Sequence, residues 1–545
     1  MSAETSASFN LVHRPWIPVI RMDGGVGELS ILDLFDQAAE LCEITGDIPT
    51  QVFATQRVLL AILHRAWNGP ASVTHWTFRR DHWDESLDEV RSYLTVFEDR
   101  FDLRGPRTPF FQVADLHTAK DEHSGLEKLI ADVPNGQPFF TTRIGRGLER
   151  VGWSEAARWL IHVHAFDPSG IRSGAVGDPR VTGGRGYPIG PGWSGQIGGV
   201  SLVGANVRET LLLNLLVPDE SGIQTSEHDL PPWERPHLGA GVEGSEARPP
   251  TGYLDLYTWQ SRRVRLVGDD DGVIGVVLAQ GDRATPQNRQ ALEPMTAWRL
   301  NEPQSNRSAT PTYKPLTHNP ERAFWRGLAA LLPEVAASDA SGAPAPRLRP
   351  ALLTWVSALR HKDALDDDAV IRLRATGMAY GPKNSTVKEI VDDVLSLPVA
   401  LLRADDSRLR TVAVEAVEQA DKAVLALANL AGNLAAAAGA GAVDGPRDRA
   451  REVAYAGLDA PFRAWILTLR SDESATEASA RWQQQVRAVV WRLSRELIAD
   501  TGPAGWVGRD VRQRHVDTSQ SDAWFRSQLR AALPRGFVER EVRDA

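Results

Sequence analysis

Apolar positions along this chain follow two different rhythms, and the change between them divides it. In the first part, short runs are punctuated by prolines and glycines. FNLVHRPWIPVI (Phe9–Ile20) reads as a proline-interrupted strand ending in a turn at Asp23–Gly25. LSILDLFDQA follows with helical spacing, and TQVFATQRVLLAILHRAW (Thr50–Trp67) has the pattern of an amphipathic helix that stops at Asn68-Gly69. Residues 70–150 mix short helices with aromatic-rich loops. SEAARWLIHVHAF (Ser154–Phe166) predicts a helix capped by Ser154. VSLVGANVRETLLLNLL predicts a strand leading into a helix. YLDLYTWQSRRVRLV and GVIGVVLAQGD predict a hairpin around GDDDG. Residues 218–250 form a Pro- and acid-rich loop, and 333–350 a Pro/Ala/Ser break.

Near Pro398 the rhythm becomes purely helical. TVAVEAVEQADKAVLALANLAGNLAAAA, REVAYAGLDAPFRAWILTL, SARWQQQVRAVVWRLSRELIAD and SDAWFRSQLRAAL are joined by short Gly/Pro/Asp breaks. Val486, Val490, Leu493 and Leu497 fall on one face of a single helix. The expected fold class is therefore α+β: a mixed N-terminal body over 1–397, then an all-α four-helix bundle over 398–545.

Composition narrows the function classes. The 545 residues are 42% hydrophobic and 24% charged, which is ordinary globular chemistry. A single cysteine excludes intrachain disulfides and cysteine-built metal centres. The N-terminus lacks the blocks of a signal peptide and no apolar run reaches membrane-spanning length, so a cytoplasmic protein with no membrane partner is expected. A net charge of −9 argues against coating nucleic acid by bulk electrostatics but leaves room for a small basic site.

The most unusual stretch is VTGGRGYPIGPGWSGQIGG (Val181–Gly199), in which eight of nineteen residues are glycine. Such a run costs folding entropy unless the backbone does something only glycine permits. Within it, Gly190, Gly192 and Gly195 match G-x-G-x-x-G, but a dinucleotide loop needs a strand before it and a helix after it. Pro188 and Pro191 interrupt the lead-in and a strand pattern follows. His162 and His164, two apart on a helix, point away from each other and read as structural rather than metal-binding. PFFTTRIGRG (Pro138–Gly147) joins an aromatic pair, hydroxyls and arginines suited to a nucleotide, or else a buried Phe pair with a solvated turn. AYGPKNSTVKE (Ala379–Glu389) is either a polar tip able to enter a groove or an ordinary loop before a helix begun by Ser385.

Taken in order, several of these stretches resemble one family, the large subunit (CasA) of the type I-E CRISPR Cascade surveillance complex. FNLVHRPWIPV is similar to its N-terminal signature. So are LEKLI followed by FFTTRIGRG, the glycine segment followed by VRETLLLNLL, LPPWERP (Leu230–Pro236), GYLDLYTWQSRRVRL (Gly252–Leu266), ERAFWRGL and the terminal bundle. The resemblance covers most of the chain.

It implies a non-catalytic subunit without a cofactor. Such a subunit reads a short protospacer-adjacent motif on double-stranded DNA, opens the duplex for guide-RNA pairing, and recruits a helicase–nuclease. The family's glycine loop corresponds to Gly183, Gly184, Gly186, Gly190 and Gly192. Its minor-groove cation falls at Arg283, and its strand wedge at Lys383 and Asn384. The loop that meets a neighbouring Cascade subunit and the guide RNA 5′ handle falls at Phe140, Thr141 and Thr142. A four-cysteine zinc site found in some relatives has no ligands here. Two rivals remain on sequence alone: a nucleotide- or phosphate-binding enzyme using the loop at 190–195, and a scaffold whose bundle docks partners without touching DNA.

Overall fold

The computed structural model describes residues 8–133, 143, 149–242, 248–333, 344–366, 368–403, 407–511 and 513–537. Of these, the residues within Met1–Arg322, Asp339–Asp366 and Ile371–Val394 form one compact unit. Those within Ala323–Ser338, Asp367–Val370 and Leu395–Ala545 form a second. The mixed α/β body and the helical bundle both stand.

In the first unit, β1 (Ile17–Arg21) pairs antiparallel with β2 (Val26–Leu29) and β3 (Leu41–Ile44), in the order β2-β1-β3. Between them lies α1 (Ile31–Asp36), capped by the Ser30 hydroxyl. Next comes α2 (Pro49–Ala66), and here the pattern misleads. Every residue from Thr50 to His64 except Val52 is buried, so the helix is wrapped on all sides rather than amphipathic. Its polar residues are tolerated because distant segments supply partners. Arg57 forms a bidentate pair with Glu293 at 2.8 and 3.1 Å, both side chains fully buried. Glu293 also accepts from the indole of Trp193 at 2.6 Å, which ties the glycine segment to the core.

Helices α3 (Val73–Asp81) and α4 (Trp83–Val96) follow, then α5 (Trp153–Phe166), which packs on α2. Gly152, not Ser154, occupies the N-cap position of α5; the Ser154 hydroxyl donates instead to Glu28. A two-stranded ribbon of β4 (Arg172–Ser173) and β5 (Arg185–Gly186) leads to β6 (Gly199–Val203) and α6 (Val207–Asn214), capped by Asn206. The expected hairpin is β7 (Arg262–Asp269) with β8 (Gly272–Gln280). It starts later than the pattern suggested, because Tyr253–Tyr257 is a short helix. Strands β9 (Trp298–Leu300), β10 (Tyr313–Pro315) and β11 (Arg347–Leu348) form a small sheet, followed by α7 (Ala351–His361). Finally β12 (Val370–Tyr380) and β13 (Val387–Pro398) join β6 in the order β13-β12-β6. The helix expected from Ser385 is absent; that stretch is the return strand of a hairpin.

In the second unit, α8 (Ser407–Ala438) is packed by α9 (Asp444–Ile466), α10 (Ala475–Ala499) and α11 (Thr518–Ala532). Val486, Val490 and Leu493 of α10 are buried, and the Trp482 indole donates to the Ala416 carbonyl at 2.8 Å. The segment from Ala323, assigned to the body on sequence, belongs to this unit: Trp325 stacks on Phe462 with centroids 4.3 Å apart.

The Arg57–Glu293 pair yields a stability prediction. Arg57→Met strands a buried carboxylate and is expected to cost about 3–5 kcal/mol. Urea unfolding followed by tryptophan fluorescence should show this, with Arg57→Met plus Glu293→Gln regaining most of it.

Candidate nucleic-acid interface

The site is organised by the C-terminal end of α5. The sequence FDPSG ends that helix because Pro168 disfavours helical backbone at Asp167, which is extended at φ −53°, ψ 128°. Its carboxylate turns inward and accepts from Arg172 Nε and Nη2 at 2.9 and 2.6 Å and from Arg262 Nε at 2.5 Å. Arg262 is fully buried, and burial pulls its pKa below the ordinary arginine value. Its remaining donors reach the carbonyls of Pro168 and Gly190 at 3.1 and 3.0 Å. One carboxylate against two guanidiniums leaves the strip 167–173 locally positive.

The glycine segment divides into two parts with different physical needs. Gly183 and Gly184 have φ of +58° and +71° and sit at the centre of a two-residue turn closed by Thr182 and Arg185. Positive φ at both central positions is what such a hairpin turn requires. Space beside both is open: a Cβ at either would meet nothing within 4 Å. Gly186 is buried against Gln280 of β8, whose amide donates to the Gly170 carbonyl at 2.8 Å and the Gly186 carbonyl at 3.3 Å. Gly190 also has open space and a φ of +105°. From Gly192 on, the need is internal. A Cβ at Gly192 would strike the carbonyls of His164 and Ala165, and one at Gly195 would strike the Tyr380 hydroxyl. The nucleotide-loop reading of Gly190, Gly192 and Gly195 is therefore corrected. They lead into a short turn and strand β6, and two of the three are occupied by the protein's own packing.

Lys383 and Asn384 stand at the tip of the β12–β13 hairpin, exposed, with φ of +57° and +56°. The tip is pinned to the same strip. The Ser169 amide donates to the Asn384 carbonyl at 2.8 Å, and the Tyr380 hydroxyl donates to the Phe166 carbonyl at 2.7 Å. The glycine turn and the hairpin tip are thus held by one stretch of backbone. Arg283 is exposed just beyond the end of β8, three residues past Gln280. Arg185, Arg283 and Lys383 share a property: no carboxylate pairs with any of them among the described residues.

Phe140, Thr141 and Thr142 lie outside the described residues. Arg143, which follows them, is held by Glu155, Asp132 and Asp47 at 2.5, 3.3 and 3.6 Å. His162 meets the Thr50 hydroxyl at 2.9 Å, and His164 donates from Nε2 to the Phe111 carbonyl at 2.9 Å, so the two face different partners. Burial pushes both pKa values down to about 3. No metal-ligating cluster occurs among the described residues, and no helix among them is long and apolar enough to cross a membrane.

With this geometry in place, comparison with known proteins is decisive. The family profile described as CRISPR-associated protein Cse1 matches residues 10–493. The chain belongs to the Cse1 (CasA) family. It is similar to the crystal structure of Thermobifida fusca Cse1, with 44% identity, TM-score 0.88, and coverage of 98% of this chain and 100% of that one. It is also similar to Cse1 from Acidimicrobium ferrooxidans, with 29% identity, TM-score 0.80, and coverage of 98% and 99%. CasA/Cse1 of Thermus thermophilus is 34% identical over 335 residues, a stretch spanning 60% of each chain. The family resemblance carried by the motifs therefore holds.

Sequence reasoning missed Asp167 and Arg262, the pair that assembles this Cse1 surface. The Asp-Pro step at a helix end and the tandem Arg262-Arg263 opening a strand were visible signals. Neither says that the two meet across 95 positions of chain.

Two predictions follow from the geometry. Gly195→Ala should cost about 1–3 kcal/mol by overpacking against Tyr380, and adding Tyr380→Phe should recover part of it in thermal or urea unfolding. Stability should also fall as pH drops from about 6.5 toward 3. His64, His162 and His164, held down to about 3 by burial, stay neutral in the folded chain while the unfolded chain takes up their protons. An acid titration of the unfolding midpoint, with His164→Gln reducing the slope, measures this.

Proposed function

We propose that this Cse1 chain acts, within an assembled RNA-guided Cascade complex, as the subunit that reads a short motif on duplex DNA and starts strand separation. The observation that carries the reading is the joint anchoring of three features on the strip 166–186. These are an open glycine turn, a two-residue polar tip, and cations left without carboxylate partners. The turn at Gly183-Gly184 offers bare backbone where a side chain would intervene between protein and duplex. Arg283 supplies a cation of the kind a narrow minor groove attracts. Lys383 and Asn384 form the wedge, entering a base step as polar side chains on a stiff hairpin. On the same reading, Phe140, Thr141 and Thr142 contact the guide RNA 5′ handle and a neighbouring subunit. The surrounding surface then recruits the helicase–nuclease, and the chain itself performs no catalysis. Sequence specificity beyond the motif belongs to base pairing with the guide.

Aspartate and asparagine both tolerate positive φ, so Gly184→Asp and Gly184→Asn separate charge from bulk. Gel shifts of the assembled complex should show Gly184→Asp weakening binding to motif-bearing DNA more than Gly184→Asn, with assembly unchanged. Equal, undiminished binding by both removes the turn from the interface. Lys383→Ala with Asn384→Ala should impair permanganate-detected strand opening more than initial binding. Arg283→Ala should lower the slope of log affinity against log salt by about one.

A further inference from the structure

Beside the hairpin tip lies an uncovered apolar pair that the reading above does not use. In the β4–β5 ribbon, Arg172 stands opposite Gly186. Both face inward, Arg172 to Asp167 and Gly186 to Gln280. Side chains alternate along an extended chain, so Ile171 and Tyr187, which directly flank this pair, turn to the opposite, outward face. Both are more than half exposed, at 53% and 56%. The Tyr187 hydroxyl has no hydrogen-bond partner among the described residues, so the ring is not placed there to satisfy an internal contact. Its backbone is nonetheless fixed: Gly186 is clamped by Gln280, and Pro188 restricts Tyr187 to extended geometry. Two residues before Ile171, the Ser169 amide holds the carbonyl of Asn384. Two residues of chain span no more than about 7 Å, so the apolar pair is next to the tip.

We infer that Tyr187, backed by Ile171, is a stacking platform for a nucleobase exposed when the Lys383–Asn384 tip enters a base step. This rests on the duplex-opening reading above. The occupant follows from the surroundings. Arg185, two residues before Tyr187, and Lys383 at the tip are cations suited to a phosphodiester backbone, and an exposed aromatic ring in their neighbourhood suits the base attached to it. Tyr187 is thus a positioning residue for the opened strand. It holds a base out of the helix so that the duplex does not reclose on the wedge.

The test uses the assembled complex with its guide RNA and a target duplex carrying 2-aminopurine at the steps beside the motif. Neighbouring bases already quench this analogue in the closed duplex, so a base freed by opening brightens unless an aromatic ring takes it up. The wild-type complex should stay dim as it opens, with opening itself followed by permanganate. Tyr187→Ala should brighten per opened duplex and lower the opening equilibrium about tenfold, while Tyr187→Phe behaves like wild type. Tyr187→Leu, apolar but without an aromatic face, should behave like Tyr187→Ala. If Tyr187→Ala opens and stays dim like wild type while Lys383→Ala with Asn384→Ala is impaired, the platform is wrong and the wedge survives. Wild-type behaviour of both variants overturns the platform together with the duplex-opening role. Loss of subunit co-elution in Tyr187→Ala, with opening normal in whatever complex remains, assigns the pair to a protein contact and also overturns the platform.

Discussion

The surface of this Cse1 chain depends on one buried carboxylate. Moving a charge out of water costs several kcal/mol unless it is paired and hydrogen-bonded, so Asp167 cannot stay at the end of α5 without its two arginines. Arg262 in turn cannot be fully buried without Asp167. Once the pair forms, Arg262 has donors to spare, and these fix the carbonyls of Pro168 and Gly190. The same few residues of backbone then bind the glycine segment on one side and the β12–β13 hairpin on the other. Two features distant in sequence become a single rigid strip because one ion pair sits beneath both.

The glycines show how one residue type meets two unrelated demands within a single segment. Gly192 and Gly195 are close-approach positions: backbone or a tyrosine hydroxyl occupies the volume a side chain would need. Gly183 and Gly184 have open space, and only their positive φ calls for glycine. The first pair serves the core, where the buried Glu293 already holds the intervening Trp193. The second pair lies free on the surface. An open surface turn and a packing joint are therefore consecutive, and a motif such as G-x-G-x-x-G that straddles them matches the joint by accident of spacing.

What was legible in the sequence follows from the range of the interactions involved. The long bundle helices declare themselves through sustained apolar spacing of helical period, as Val486, Val490 and Leu493 show on α10. Helix α2 was legible as a helix but not as a buried one. Its polar residues look solvent-facing until Glu293, 236 positions away, arrives to pair with Arg57. The strand Val387–Pro398 was misread as helical because much of its first half is exposed and carries Lys388, Glu389, Asp392 and Asp393, which blur any alternation. Of the candidate site, the tip and the loop were found through family resemblance. That they share one support depends on Asp167, Arg262 and Tyr380 meeting in three dimensions, and no local pattern encodes that meeting.

For the function proposed above, electrostatics explains how a chain of net charge −9 would present a surface to a polyanion. The arginines that line this part of the fold are consumed internally: Arg172 and Arg262 by Asp167, Arg180 by Asp178, Arg248 by Asp255, Arg263 by Asp282. Each carboxylate offsets one positive charge of the exterior field while stiffening the scaffold, and among these pairs only Asp167, shared by two arginines, leaves an excess. Arg185, Arg283 and Lys383 are among those left without such a partner among the described residues, and a handful of cations is too few to hold nucleic acid by charge alone. On the proposed reading, a surface built this way would favour a duplex it can approach closely over any duplex it merely attracts. Shape at the bare turn and the stiff tip would then discriminate, and the weak charge would only bring the partner near.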